Sequence, residues 1–444
     1  MNVLKFGGTS VGSAARMQNL NSIVADSNAV VVLSAMSGTT NELLSISETL
    51  PDSKEMEEKI ETLKQKYKQE IEGLFQSESE KDHYRIWVEV EFEELAKVAN
   101  SDHPNRANII VGKGEQWSTQ LFVAQGLEKG FNYKFYRSPA FIATKKGEDE
   151  TLDWTAIDKS FAAFVAQRSP GEISVFQGFI CSNSEGEIAN LGRGGSDYSA
   201  AIIGKAIGAE EVQIWTDVDG FCANDPRVVP NPKVLESLSF EEAAELAYFG
   251  AKILHPATIL PCRDSGIPVR LKNTLKPEAP GTLIDRNATH EGIRAVAAKD
   301  GISVIRITST RMLLAHGFLQ KIFEIFSRHK TSIDMVATSE VSVSLTIDND
   351  SKLADILQEM EQYGRVEIEP NQTIVSVVGK FGANTHGFAA IITQKLVGIP
   401  LGMISYGGSR TNISFVIPEE DKKRALTSLN ELVANKNLES DVLV

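Results

Sequence analysis

The chain has 444 residues, of which 42% are hydrophobic and 23% charged, and its formal net charge is −14. This length predicts two to four domains with sizeable cores. The acidic balance argues against a nucleic-acid or anionic-membrane surface, but not against a local anion site. No apolar run reaches the roughly 18 residues of a membrane span, and no secretory pattern is present. Its three cysteines lack metal-ligand spacing, so we expect a cytoplasmic protein without a zinc site.

The first strand and the turn after it predict a phosphate site. Residues 2–6 (NVLKF) are typical of a short buried strand and carry Lys5. The next four residues combine backbone freedom with hydroxyl groups that are expected to cap a following helix; they are Gly7, Gly8, Thr9 and Ser10. The turn is not a Walker loop. The alternative is a strand-to-helix turn that needs glycine for its own geometry.

Further strands are predicted at 29–34, 173–180, 212–216 and 268–272, several of them apolar on both faces. They alternate with helical patterns, which predicts an α/β domain with a largely parallel sheet. Residues 54–75 have apolar side chains at spacings of three and four, so we expect an amphipathic helix there, capped by Asp52.

Two segments provide candidates for binding a small zwitterion. Thr40 lies in LSAMSGTTN (33–41), and Glu115 lies in VGKGEQWS (111–118), where the glycines predict a helix start with an exposed carboxylate. In NLGRGGSDYSA (190–200), glycines surround Arg193, and Ser196 and Asp197 open a helix that extends to about Ile207. An arginine fork can hold a carboxylate, and Asp197 is placed to orient Lys5 or, through water, Mg²⁺. The alternative is a glycine-rich turn with a surface arginine and a capping aspartate.

Two later segments provide candidates for nucleotide contacts. VQIWTDVDGFCANDPR (212–227) follows a strand, and loops at strand ends bind ligands in open α/β sheets; its candidates are Thr216, Asp217 and Arg227. FGAKILHP (249–256) provides Lys252. The alternatives are ordinary turn chemistry for the first segment and a solvated lysine for the second.

An internal repeat occupies the C-terminal part of the chain. His316-Gly317-Phe318 recurs as His386-Gly387-Phe388, and the flanking strands 302–307 and 341–347 recur at 372–378 and 411–417. The constant offset of 70 residues indicates two copies of a small α+β unit. With the turn cluster near residue 280, this predicts three domains at 1–290, 291–370 and 371–444.

With KFGGTSV, SGTTN, GRGGSDYSA, WTDVDG…DPR and FGAKILHP in this order, the chain resembles the aspartate kinases of the amino-acid kinase superfamily. The resemblance implies an open α/β/α kinase domain followed by two ACT modules, which match the repeat. It also implies transfer of the ATP γ-phosphoryl group to the β-carboxylate of L-aspartate, the step that opens lysine, threonine, methionine and diaminopimelate synthesis. ATP and Mg²⁺ are the implied cofactors, and a homodimer through the ACT modules is the implied assembly.

The resemblance also implies residue roles. Lys5 would neutralise the transferring phosphoryl group, with Asp197 organising Lys5 and the metal site. Aspartate would be held by Arg193, Glu115, Thr40 and Ser196. The nucleotide would be contacted by Lys5, Gly7, Gly8, Thr9, Ser10, Thr216, Asp217, Cys222, Arg227, Lys252 and Ile253. No residue is assigned as a direct metal ligand.

The regulatory part resembles the lysine-inhibited class. The implied effector site has Asp334 meeting an ammonium group and backbone groups near Gly317 meeting a carboxylate. Its expected members are Met312, Ala315, Gly317, Phe318, Leu319, Ser332, Ile333 and Asp334. Leu314 and Ala315 replace polar residues expected there, which predicts weak or absent sensitivity to lysine.

Two departures and two alternatives complete the analysis. Cys222 stands where relatives often have tyrosine, and no GxGxxG motif indicates a fused homoserine dehydrogenase, so a monofunctional enzyme is expected. One alternative is another member of the superfamily. The other is a catalytically silent amino-acid sensor, which ATP turnover would distinguish.

Overall fold

The computed structural model describes residues 1–25, 28–146, 151–250, 253–288, 292–312, 316–381 and 387–434. The chain folds into two compact units. The first unit is Met1–Gly220 with Ile253–Arg286, and the second is Phe221–Lys252 with Asn287–Val444. The segment 221–252 therefore groups with the C-terminal part, although it carries motifs that we assigned to the kinase domain. The three-domain division itself stays a prediction.

The first unit alternates strands and helices. Its strands are β1 (Asn2–Phe6), β2 (Ala29–Leu33), β3 (Tyr133–Tyr136), β4 (Thr144–Lys145), β5 (Thr151–Leu152), β6 (Ile173–Gln177), β7 (Ile180–Ser182), β8 (Ile188–Asn190), β9 (Val212–Thr216), and, after the segment that belongs to the second unit, β11 (Val269–Asn273) and β12 (Thr282–Ile284). Its helices are α1 (Ala14–Val24), α2 (Thr39–Glu48), α3 (Lys54–Leu74), α4 (Glu78–Ala99), α5 (Arg106–Glu128), α6 (Trp154–Gln167), α7 (Gly195–Ile207) and α9 (Leu260–Ser265).

Parallel strands bring the predicted site segments to one edge of the main sheet. Its strands in this unit follow the order β12-β11-β9-β1-β2-β6-β3, and all neighbours are parallel except β11 and β12. Phe6 lies opposite both Leu33 and Trp215, and Leu33 lies opposite Gln177. The carboxyl ends of four strands therefore meet, which is where open α/β sheets bind ligands.

Two boundaries differ from the sequence predictions. The strand predicted over 173–180 ends at Gln177, because Phe179 takes a left-handed backbone conformation with φ 65°. The helix predicted over 54–75 is α3, but its cap is Ser53, whose side chain accepts from the Met56 N–H, so the prediction of an Asp52 cap was wrong. Asp52 instead has φ 52°, and its N–H donates to Asn100 Oδ1.

The second unit contains the repeat. Its elements are β10 (Ser237–Leu238), α8 (Phe240–Phe249), β13 (Gly292–Thr308), α10 (Phe318–Arg328), β14 (Val336–Thr338), β15 (Ser342–Ile347), α11 (Leu353–Met360), β16 (Arg365–Lys380), α12 (Phe388–Lys395), β17 (Met403–Tyr406), β18 (Asn412–Pro418) and α13 (Lys422–Ala434). Six strands form one antiparallel sheet in the order β14-β15-β13-β16-β18-β17. A mostly parallel domain followed by α+β repeats confirms the predicted fold class.

The repeat is visible residue by residue. Gly317 and Gly387 both cap a helix with a positive φ, and Phe318 and Phe388 after them are both buried. Each phenylalanine belongs to a separate apolar core under its own half of the sheet. No helix within the described ranges is long and apolar enough to cross a membrane.

Candidate active site

An enclosed ion pair lies at the carboxyl edge of the sheet in the first unit. Lys5 Nζ is 2.6 Å from Asp197 Oδ1, and their side chains are only 11% and 10% exposed. Lys5 belongs to β1, and Asp197 belongs to the first turn of α7. An enclosed pair is expensive to desolvate, so its presence beside a ligand-binding edge favours a functional role.

The glycine turn after β1 is folded tightly against its neighbours. The Gly7 N–H donates to the Trp215 carbonyl, and the Ser10 N–H donates back to the Gly7 carbonyl. A Cβ on Gly8 would lie 3.1 Å from the Ala35 carbonyl oxygen. The buried Ser10 has its Oγ 3.0 Å from Thr274 Oγ1, and the Thr9 carbonyl accepts from Arg16. This is a close approach of two backbones, as glycine permits.

The helix after this turn begins later than predicted. The cap of α1 is Ser13, whose Oγ accepts from the Arg16 N–H, so the prediction that Thr9 and Ser10 cap it was wrong. The Ala14 N–H donates to Glu70 Oε2. Two of the N–H groups at this helix end are thus already satisfied, and a phosphate would depend on the turn itself and on Lys5.

Glu115 is deeply buried, although an exposed carboxylate at a helix start was predicted. It lies in the middle of α5 and is 3% exposed. The glycines around it serve packing, since a Cβ on Gly114 would lie 2.8 Å from Ala35 Cβ. Burial raises the pKa of Glu115 to about 8, against the opposing influence of the Ala35 backbone and the Lys5 charge. Its Oε2 has no hydrogen-bond partner among the described residues.

Thr40 and Arg193 stand nearer to solvent. Thr40 is half-buried in the first turn of α2, which follows Gly38 at φ 82°. Arg193 is exposed in the loop before α7. Ser196 is buried in the first turn of α7, and a Cβ on Gly178 would lie 2.5 Å from its Oγ. These side chains are therefore accessible to different degrees, with Arg193 the most open.

A serine that the sequence analysis missed holds this loop. Ser199 is fully buried, its Oγ accepts from the Phe179 N–H at 2.9 Å, and it donates to the Gly195 carbonyl at 2.9 Å. The Leu191 N–H donates to the Phe179 carbonyl. The left-handed Phe179 is thus fastened to both sides of the Arg193 loop. In the sequence, the only sign of this arrangement was the position of Phe179, directly after Gly178 at the end of a strand.

The predicted nucleotide residues divide between the two units. In the first, Thr216 is half-buried and its hydroxyl bonds to the exposed Asp217, and Ile253 is half-buried. Asp219, which we did not predict, accepts from Asn273 and Lys276. The Lys276 hydrogen bond lowers the pKa of Asp219.

In the second unit, Arg227 is largely exposed and pairs with Asp225 at 2.7 Å. Cys222 is half-buried, and its backbone forms an isolated antiparallel β-bridge with Val234. Lys252 lies outside the described residues.

The predicted effector residues lie around α10 in the second unit. Met312 and Ile333 pack on the apolar core that contains Phe318, whereas Leu319 and Ser332 are exposed. Gly317 caps α10 with φ 81°. Ala315 lies outside the described residues. The Asp334 side chain is fully enclosed and contacts Lys299 and Tyr248, neither of which was predicted.

Comparison with known proteins identifies the family. The amino acid kinase family model matches residues 1–273, and an ACT domain model matches 375–432. The lysine-sensitive aspartokinase 3 of Escherichia coli is 35% identical, across 96% of this chain and 98% of that protein. Aspartokinase 1 of Arabidopsis thaliana, a chloroplastic protein, is 33% identical across 100% of this chain and 82% of that protein.

Solved structures agree over the same length. The crystal structure of E. coli aspartokinase III in complex with aspartate and ADP (R-state) is 34% identical with a TM-score of 0.83, covering 98% of this chain and all of that one. The structure of the same enzyme with lysine and aspartate (T-state) also has a TM-score of 0.83, at 33% identity. The chain therefore belongs to the amino acid kinase family and, within it, to the aspartokinases, ATP-dependent phosphotransferases with an ACT regulatory region.

Proposed function

We propose that the first unit binds L-aspartate and ATP and transfers the γ-phosphoryl group to the β-carboxylate, giving 4-phospho-L-aspartate. This step would open the biosynthesis of lysine, threonine, methionine and diaminopimelate. The proposal is supported by the similarity to an E. coli enzyme whose crystal structure contains aspartate and ADP. Four of the five motifs that carry the resemblance lie at the ends of β1, β2 and β9 or open α7, and the fifth begins at Phe249, the last residue of α8.

The observation that carries the proposal is the unsatisfied Oε2 of the Glu115 carboxylate. Its Oε2 is buried without a hydrogen-bond partner among the described residues, although a buried polar atom normally has one. Burial raises the pKa of Glu115, and the charge of Lys5 opposes this shift. An ammonium group would supply the missing donor and charge. Glu115 is thus suited to the amino group of aspartate.

The other substrate groups meet residues of matching chemistry. Arg193, exposed in its loop, would hold the α-carboxylate through two parallel hydrogen bonds, with Thr40 and Ser196 lining the same pocket. The β-carboxylate is ionised at pH 7 and attacks without a general base. Catalysis then requires positioning and positive charge, which Lys5 would provide at the transferring group while Asp197 holds its ammonium in place.

The nucleotide would lie over the turn from Gly7 to Ser10, with Thr216, Asp217 and Ile253 of the same unit contacting the remainder of ATP. Among the described residues no group of three acidic, histidine or cysteine side chains could hold a metal ion. We therefore expect Mg²⁺ to be held mainly by nucleotide phosphates and water, with at most one protein carboxylate, such as that of Asp197. When bound, Mg²⁺ would neutralise phosphate charge.

Regulation by an amino acid, with lysine as the first candidate, would occur at the first repeat, near Gly317 and Asp334. The E. coli relative is named as lysine-sensitive, and one of its crystal structures contains lysine. The chain would act as a homodimer through its ACT modules. A ligand at the repeat would shift the dimer between active and inactive states because it binds them with different affinities.

The test is aspartate-dependent formation of acyl phosphate, trapped as hydroxamate with hydroxylamine, in the presence of Mg-ATP. Wild type should form hydroxamate only with aspartate, and Lys5→Ala should lose at least about 100-fold in rate, because it removes the charge at the transferring group. Lys134→Ala, which changes a half-exposed lysine on β3, serves as the control. Folded protein that binds ATP without forming hydroxamate would indicate a silent sensor instead.

A further inference from the structure

A charged cluster in the second unit encloses the carboxylate predicted to meet the effector. We call Asp334, Lys299, Asp348 and Tyr248 the Asp334 cluster. Lys299 Nζ is 3.2 Å from Asp334 Oδ1 and 2.8 Å from Asp348 Oδ2. The same ammonium lies 4.2 Å from the centre of the Tyr248 ring, and the Tyr248 hydroxyl donates to Asp334. The carboxylate is thus already in contact with a cation of its own chain.

The cluster holds its cation firmly. The Asp334 side chain is completely enclosed, and Lys299 is only 18% exposed. Burial lowers the pKa of Lys299. The Asp348 hydrogen bond and the charge of Asp334 together raise it by more, so the net shift is upward. Burial raises the pKa of Asp334, and Tyr248 and Lys299 oppose this shift. Removing the cation would leave a buried carboxylate unpaired, which is costly.

The second copy of the repeat shows that the fold does not need these charges. Seventy residues after Lys299, Asp334 and Asp348 stand Glu369, Ile404 and Pro418. The structural positions are nevertheless kept, since Gly317 and Gly387 cap their helices alike. The Asp334 cluster is therefore a property of the first copy alone. A charged group that the architecture does not require is a candidate for ligand recognition.

The cluster also leaves one carboxylate oxygen without a donor from the part of the chain that the structure describes. Asp334 Oδ2 is buried and has no hydrogen-bond partner among the described residues. The segment that carries it is fixed to β15, because the Asp334 N–H donates to the Thr346 carbonyl and the Met335 N–H donates to Thr346 Oγ1. The carboxylate is thus held in a fixed position, one of its oxygens has no donor among the described residues, and its contact with a positive charge is filled by Lys299.

We propose that Lys299 is a tethered cation that occupies the ammonium position of the effector pocket, so that free lysine binds there only by displacing it. This inference rests on the proposed regulatory site at Asp334. A group on the same chain competes at an effective concentration of about millimolar or more, so a free amino acid must exceed that level. Lys299 thereby sets the effector specificity of the pocket, which favours ligands without a side-chain ammonium group.

Displacement of Lys299 from Asp334 would also affect α8, which carries Tyr248. Tyr248 lies in the last turn of α8, and its hydroxyl shares the Asp334 carboxylate with Lys299. Three residues of chain separate Tyr248 from Lys252, a predicted ATP contact. A ligand that takes Asp334 away from Tyr248 therefore acts on the helix that leads into a predicted nucleotide segment.

The experiment compares lysine with norleucine, which has the same length of side chain without the ammonium group. Calorimetric titration at pH 8 uses full-length wild type, Lys299→Met and Lys422→Met. The last is a matched control, since Lys422 is an equally enclosed lysine paired with Asp300 in the same unit. Wild type and Lys422→Met should bind norleucine more tightly than lysine, whereas Lys299→Met should bind lysine at least 10-fold more tightly than norleucine.

A second measurement, the melting temperature, tests the inference even if substitution of Lys299 destabilises the protein. Lys299→Ala should melt below wild type, and lysine, but not norleucine, should raise its melting temperature. If wild type binds lysine as tightly as Lys299→Met does, or if neither variant prefers lysine, the inference is overturned. Hydroxamate formation by the same preparations separates the two proposals: its absence contradicts the proposed function, whereas the ligand preference tests only the pocket.

Discussion

At the scale of single residues, the protonation of Glu115 is the most informative property of the candidate active site. A carboxyl group with a pKa of about 8 is mostly neutral at pH 7, and only its ionised form attracts an ammonium group. The ligand and the proton therefore compete for the same buried group. This coupling makes the role of Glu115 measurable without a structure of the complex.

The first prediction at this scale concerns the KM for aspartate. Between pH 6.5 and 8.5 the ionised fraction of a group with a pKa of about 8 rises roughly tenfold or more, so the KM of wild type should fall by a similar factor. Glu115→Gln should have a high KM that is independent of pH over this range. Steady-state kinetics at saturating ATP measure both. A pH-independent KM in wild type would contradict the assignment.

Although Glu115→Gln should weaken aspartate binding, it should stabilise the ligand-free protein at high pH. The folded pKa of Glu115 lies above the ordinary value, so the folded state binds the proton more strongly, and stability falls as pH rises from about 4.5 to about 8. Ligand-free Glu115→Gln should therefore melt above wild type at pH 8.5 and close to it at pH 5. Glu172→Gln is the control, because Glu172 is equally buried but its hydrogen bonds and Lys134 leave its pKa lowered.

Sequence reasoning at this scale succeeded where residue type alone decides and failed where packing decides. Lys5 and Asp197 were linked from the turn and the helix start, and they form an ion pair. Glu115 was expected to be exposed because glycines were interpreted as a helix start. The close approach of α5 to Ala35, which buries it, is a contact between segments distant in sequence and has no local signature.

At the scale of elements, the junction between β6 and α7 determines how the Arg193 loop is presented. Ser199 bonds both the Phe179 N–H and the Gly195 carbonyl, so one buried hydroxyl fixes the first turn of α7 to the end of β6. That turn carries Ser196 and Asp197. Left-handed non-glycine residues such as Phe179 cost energy and persist where surrounding contacts hold them.

Ser199→Ala should therefore weaken aspartate binding more than ATP binding. Loss of both hydrogen bonds frees the Arg193 loop, and we expect the KM for aspartate to rise several-fold, with the KM for ATP within about twofold of wild type. Kinetics with each substrate varied in turn measure the difference. Ser101→Ala removes a hydroxyl bonded to the Val98 carbonyl at the end of α4 and should change neither constant. An equal rise in both constants would indicate general destabilisation.

Element boundaries show what spacing leaves open. The amphipathic pattern over 54–75 located α3 to within one residue of each end. Asp52 and Ser53 are both good cap residues, so the sequence could not choose between them. The choice depends on Asn100, which binds the Asp52 N–H from another helix end and leaves Ser53 extended. A strand end at Gln177 likewise depends on the Phe179 conformation.

At the scale of the whole molecule, the sequence revealed the repeat but not how the chain is divided. A constant offset of 70 residues is visible without coordinates, and the two copies share one sheet. The grouping of 221–252 with the second unit was not visible, because this segment carries motifs that resemble the catalytic part of aspartate kinases. Motif order reports function, whereas the division into units reports which apolar surfaces pack together.

The edges of the regulatory sheet carry the last prediction, which concerns assembly. β14 and β17 are the outermost strands of the second unit, and they leave apolar side chains open: Val336 is 41%, Ile404 48% and Tyr406 52% exposed. Exposed edges of this kind tend to pair with another chain unless they are covered. We therefore expect the full-length protein to sediment as a dimer at micromolar concentration, with these edges in the interface.

The variant Ile404→Lys/Tyr406→Lys should sediment mainly as a monomer, because it places charges where an apolar surface would be buried. Val397→Lys, which changes a side chain 79% exposed outside the edge strands, should remain dimeric. A dimer that survives the double substitution would place the interface on another surface.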